Sequence, residues 1–103
     1  MEVKVARVSD ITPGKGHVRQ LEDVRVALFN IDGTLYCIED VCSHDDGPLA
    51  EGELEGNVIQ CPRHGARFNV ATGAVLSMPA PTPVRTFRVK IEAGDVFVQL
   101  EPR

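Results

Sequence analysis

The sequence predicts an all-β chain, an antiparallel sandwich or small barrel with a small metal-binding subdomain inserted. Three observations carry this. Apolar residues alternate on both sides of Asp32-Gly33 and of Ala93-Gly94-Asp95, as in two hairpins. No stretch sustains a helical period over ten or more residues. Two of the three cysteines and two of the three histidines fall between Cys42 and His64.

Taken in order, Val3 and Val5 alternate with Lys4 and predict a first strand that extends as far as Val8. Ser9 to Gly14 holds two breakers and has room for one helical turn at most. His17–Leu21 is a weak strand. Val24, Val26 and Leu28 alternate with Arg25, Ala27 and Phe29, then Asp32-Gly33 turns the chain into Leu35–Ile38. Short strands are expected at Asn57–Gln60, Ala66–Val70 and Val75–Leu76, with Ala71-Thr72-Gly73 as a turn. Met78-Pro79-Ala80-Pro81-Thr82-Pro83 cannot enter a helix or a central strand, because proline lacks the N–H donor and fixes φ. Phe87, Val89 and Ile91, then Val96, Val98 and Leu100, form a closing hairpin. One domain over residues 1–103 is expected, with framework segments 1–40 and 77–103 around an insertion at about 41–76.

The insertion carries the chemistry. Cys42-Ser43-His44 is followed after sixteen residues by Cys61-Pro62-Arg63-His64. Thiolate and imidazole suit iron or zinc, whereas calcium and magnesium require oxygen. Zinc would take all four donors on one ion. A two-iron, two-sulfide cluster would take two thiolates on one iron and two imidazoles on the other. The interleaving favours the second, because each segment offers one Cys and one His. His17 has no cysteine near it in sequence and reads as a surface strand residue. Cys37 lies inside a strand and reads as a small buried apolar residue.

Composition bounds the rest. A 103-residue chain of net charge −4 does not suit a nucleic-acid backbone. No apolar run approaches the ~20 residues needed to span a bilayer, and Met1–Val5 does not resemble a signal peptide. An odd cysteine count with two thiols committed to metal fits a reducing cytoplasm.

The pattern Cys-x-His, sixteen residues, Cys-Pro-x-His-Gly resembles the Rieske family, and the order of elements agrees over nearly the whole chain. The resemblance implies a Rieske-like β framework with an inserted cluster-binding subdomain and one [2Fe–2S] cluster per chain. Cys42 and Cys61 would hold the buried iron, and His44 and His64 the outer one. Gly47 and Gly65 would serve tight turns that aim N–H groups at the sulfurs, and Pro79–Pro83 would cover the cluster. With two neutral imidazoles the oxidised cluster is uncharged, so it accepts an electron more readily than a four-thiolate cluster. The family's high-potential members carry a disulfide where this chain has Gly47 and Arg63, and a Ser and a Tyr where it has Ala66 and Phe68. Fewer hydrogen bonds to sulfur, with Asp45, Asp46, Glu51, Glu53 and Glu55 nearby, imply a potential at the low end of the range, about −150 mV.

The function implied is a soluble, monomeric one-electron carrier, not itself an enzyme. It would pass electrons from a flavin-dependent reductase to a terminal oxygenase or other redox enzyme, with no nucleic acid and no membrane as partner. The chain is too short to contain an oxygenase catalytic domain. Alternatives are a non-catalytic subunit or sensor of another redox system, such as one like the nitrite-reductase small subunit or one beside iron–sulfur assembly, and a zinc-stabilised binding module.

Overall fold

The computed structural model describes residues 2–22, 24–41, 49–62, 65–77 and 83–100. Among them are ten strands: β1 (Glu2–Arg7), β2 (His17–Leu21), β3 (Val24–Ile31), β4 (Thr34–Glu39), β5 (Glu53–Glu55), β6 (Val58–Gln60), β7 (Arg67–Asn69), β8 (Val75–Ser77), β9 (Thr86–Glu92) and β10 (Asp95–Gln99). Val8 leaves the first strand and begins a one-turn 3₁₀ helix, Val8–Asp10, where the Arg7 N–H donates to the Asp10 carboxylate (3.0 Å). No helix among the described residues is long and apolar enough to cross a membrane.

The strands form two antiparallel sheets. Six of them run in the order β1-β10-β9-β4-β3-β2, and four in the order β5-β6-β7-β8. The six-stranded sheet curls towards a barrel, and its edge strands are tied where Arg19 Nε donates to the Val5 carbonyl (2.9 Å). The all-β expectation holds, and both expected hairpins are present. Asp32 and Gly33 lie at φ 54° and 88°, and Ala93 and Gly94 at 53° and 82°. Two central residues at positive φ match the right-handed twist of the flanking strands.

The β3–β4 hairpin is the wall between two apolar cores. Val26, Leu28, Leu35 and Cys37 face the barrel interior with Val96 and Val98. Ala27, Phe29 and Ile38 face the other way, onto Leu49, Ile59, Cys61 and Phe68 beneath the smaller sheet. Successive side chains of a strand point to opposite faces, so one apolar stretch serves both cores. The smaller sheet is a meander of consecutive strands. Its return to the framework is fixed where the Val84 N–H donates to the Gly73 carbonyl (2.9 Å). Gly73 lies at φ +80°, and a Cβ there would collide with the Val84 carbonyl oxygen. The Pro79–Thr82 part of the expected proline cover lies outside the described residues; Pro83 is exposed.

Candidate metal centre

Of the four expected ligands, Cys61 is described; Cys42, His44 and His64 lie outside the described residues, as do Asp45, Asp46, Gly47 and Arg63. Cys61 follows β6 directly. Its N–H donates to the Ala66 carbonyl (2.7 Å), and its own carbonyl accepts the Gly65 N–H (3.1 Å). Gly65 takes φ +79°, so the tight turn that the resemblance implied is present, but the Gly65 N–H is spent on the Cys61 carbonyl and is not aimed at a sulfur. Both backbone groups of Cys61 are thus satisfied within its own turn. Its side chain is free to be held by packing, at 1% exposure, beside Ile59, Ala66 and Phe68. A hollow of about 390 Å³ opens against Cys61, bordered by Glu51, Gly52, Glu53, Gln60 and Pro62.

The residues on either side of segment 42–48 are fixed by a group the sequence reading missed. Asp40 is 1% exposed. One carboxylate oxygen, Oδ1, accepts the N–H groups of both Leu49 and Ala50 at 2.7 Å. The other, Oδ2, accepts from Arg25 Nε (3.1 Å), and Arg25 Nη2 donates to the Asp40 carbonyl (3.1 Å). The Asp40 N–H in turn donates to the Arg25 carbonyl (2.8 Å). A buried carboxylate is tolerated when charge-assisted bonds of this kind occupy it. In sequence, the sole signal was an acidic residue closing the apolar strand two places before Cys42.

Beyond Ala50 the chain is pressed onto β6, the strand that ends just before Cys61. The Gly52 N–H donates to the Leu49 carbonyl (2.9 Å), closing a turn. A Cβ at Gly52 would overlap the carbonyl of Gln60, the residue before Cys61. The described flanks of the two ligand segments are therefore neighbours. The local charge is negative: Glu51 and Glu53 face the hollow, while Glu55 meets Arg67 at 3.7 Å across the exposed surface.

The remaining His and Cys have ordinary roles. His17 Nε2 accepts the Thr12 N–H (3.1 Å) and staples the turn before β2. Cys37 is 2% exposed, and burial pushes its thiol up to about 12, which keeps it protonated and inert. Among the described residues, of which Cys61 is the one expected ligand, no group of three or more His, Cys, Asp or Glu side chains is placed to hold a metal.

Comparison with known proteins places these features in a family. The model of the Rieske [2Fe–2S] domain matches residues 1–88. The chain is 37% identical over 102 residues to the ferredoxin CarAc of Metapseudomonas resinovorans, covering 98% of this chain and 95% of that one. It is 39% identical over 98 residues to the ferredoxin component of biphenyl 2,3-dioxygenase from Rhodococcus jostii strain RHA1, covering 95% and 92%. Its fold superposes with a TM-score of 0.88, at 37% identity, on a chain in the complex of reduced oxygenase and oxidised ferredoxin of carbazole 1,9a-dioxygenase, covering 94% of this chain and all of that one. The chain belongs to the Rieske [2Fe–2S] family.

Proposed function

We propose that this chain is the ferredoxin component of an oxygenase system, a one-electron carrier between a flavin-dependent reductase and a terminal oxygenase. The observation that carries the reading is the extent of the likeness. The match to the biphenyl-dioxygenase ferredoxin spans 95% of this chain and 92% of that component, framework and insertion together. The chain is accordingly a carrier, and the oxidation of an organic substrate belongs to its acceptor.

The described residues fit the cofactor. A buried thiol, its backbone already satisfied, borders a hollow that Glu51 and Gly52 line from the other side. Cys42, His44, Cys61 and His64 hold the cluster in a subdomain spanning about 41–76 of a single domain, 1–103. When bound, the cluster supplies a couple that takes up and releases one electron. The chain's own residues fix the donors, exclude water on the Cys61 side through Phe68 and Ile59, and set the surrounding charge. The carrier acts as a monomer in the cytoplasm, and its interface with each partner is small and transient.

The test begins with freshly purified protein. Two irons and two acid-labile sulfides per chain, a red-brown colour and an EPR signal after dithionite are expected. Substrate oxidation by a purified oxygenase should then depend on both this chain and a flavin reductase. Colourless protein holding a single zinc would reject the carrier. A coloured protein that supports no reductase–oxygenase pair would reject the assignment to an oxygenase system.

A further inference from the structure

The geometry points to Asp40 as a positioning residue that latches the first ligand segment to the framework. This rests on the reading that Cys42 and His44 are cluster ligands. Asp40 itself is not a ligand. Its backbone N–H is bonded to Arg25 of β3, and its Oδ1 gathers the amides of Leu49 and Ala50 at 2.7 Å. The segment 42–48 therefore leaves and rejoins the framework at one buried side chain. Closing a loop costs conformational entropy, and here that cost is met by protein–protein bonds in place of the metal alone. The Arg25 guanidinium bonds to Oδ2 and to the Asp40 carbonyl, which fixes the carboxylate plane and leaves Oδ1 aimed at the two amides. Leu49 is fully buried and Ala50 nearly so, so neither amide has water as a substitute partner if the carboxylate is removed.

Gly16 adds an independent constraint. A Cβ there would lie 2.9 Å from the Ala50 Cα and carbonyl oxygen, so the turn before β2 packs directly on the latched residue. The latch sits between the framework and the start of the first ligand segment. Its release would free the ligands while leaving the sheets intact.

The consequence is graded. Asp40→Ala leaves two buried amides without an acceptor. Asp40→Asn can still accept both through its carbonyl oxygen, but it loses the bond from Arg25 Nε to Oδ2. Arg25→Met removes that same bond from the other side, together with the one to the Asp40 carbonyl. Partners that orient metal ligands usually change metal retention by about 10- to 100-fold, and Asp40→Ala should speed chelator-driven loss of visible absorbance by that factor. Asp40→Asn and Arg25→Met should fall between it and the unsubstituted chain, and their double variant should be no worse than the more severe single one. Hydrogen exchange of the holoprotein should rise at Leu49 and Ala50 and stay unchanged in β1, β9 and β10. Asp95→Asn, which removes the exposed ion pairs to Lys4 and Arg7, is the control and should leave the release rate unchanged.

Release from Asp40→Asn and Arg25→Met at the unsubstituted rate overturns the proposal, whether or not Asp40→Ala folds. So does acceleration by Asp95→Asn to the same extent. The ligand reading is tested separately, by the iron and sulfide content of the unsubstituted chain, so the two can fail independently.

Discussion

Ala93 holds a left-handed backbone at φ +53° in the β9–β10 turn, next to Gly94 at +82°. The left-handed region costs an L-residue roughly 1–2 kcal/mol, and Asn or Asp relieves part of it by local hydrogen bonding. Asp32 occupies the matching position in the β3–β4 turn at φ +54°. Ala93→Asn should therefore stabilise the fold by about 0.5–1 kcal/mol, raising Tm by about 2–8 °C in a domain of this size. A thermal melt followed by circular dichroism checks it, and an unchanged or lower Tm contradicts it. Cys37 gives a second prediction of this kind. Its thiol is raised by burial from the ordinary 9.0 to about 12, so above pH 9 the folded chain holds a proton that the unfolded chain has lost. The contribution is fully present below pH 9 and disappears as pH climbs towards 12, about 4 kcal/mol in all. Stability relative to Cys37→Ala, measured by denaturant unfolding at pH 8 and pH 11, should narrow at the higher pH. A difference that stays constant would show that the thiol titrates as it does in the unfolded chain.

Alternation located the long strands, and the Asp-Gly and Ala-Gly pairs fixed their turns, because a period of two and a positive-φ requirement are both written in adjacent residues. What alternation could not reveal was the second core. From Val26 to Phe29 every residue is apolar, and the structure divides them, Val26 and Leu28 into the barrel, Ala27 and Phe29 under the smaller sheet. The strand Glu53–Glu55 was equally hidden, since Leu54 is its one apolar residue and pairing with Val58–Gln60 is what makes it a strand. Phe29 shows what the shared wall is worth. It is fully buried and lies in the same core as Cys61 and Phe68. Phe29→Ala should cost about 3–5 kcal/mol, a large part of the ~5–15 kcal/mol that holds a domain together. Because that core also backs Cys61, the variant should lose its visible absorbance along the same urea transition as its secondary structure. Loss of colour well after the sheets unfold would mean that the cluster site does not depend on this core.

Across the whole molecule, the candidate ligands could be read from the sequence because metal spacing is a local code, whereas the latch on Asp40 could not, because it joins Arg25, Asp40 and Leu49 across three stretches of chain. Electrostatics brings both scales to bear on the reduction potential. The chain carries net charge −4, and Glu51 and Glu53 border the hollow at Cys61. Ala66 and Phe68 are fully buried beside the thiol and carry no hydroxyl to donate to sulfur. Each feature disfavours the extra negative charge that reduction brings. The potential should lie near the lower limit for such clusters, about −150 mV. The two causes can be separated by voltammetry. Glu53→Gln removes a charge that faces the hollow and should raise the potential more than Glu55→Gln, since Glu55 lies outside the hollow's border and is already opposed by Arg67. Adding salt should shrink the difference between the two variants, because exposed charges are screened over about 10 Å at 0.1 M. Ala66→Ser, which adds a donor beside Cys61, should raise the potential independently of salt. A parent potential well above zero would mean that sulfur receives hydrogen bonds from elsewhere in the chain. Equal shifts in the two glutamate variants would mean that the acidic border acts only as a solvated surface.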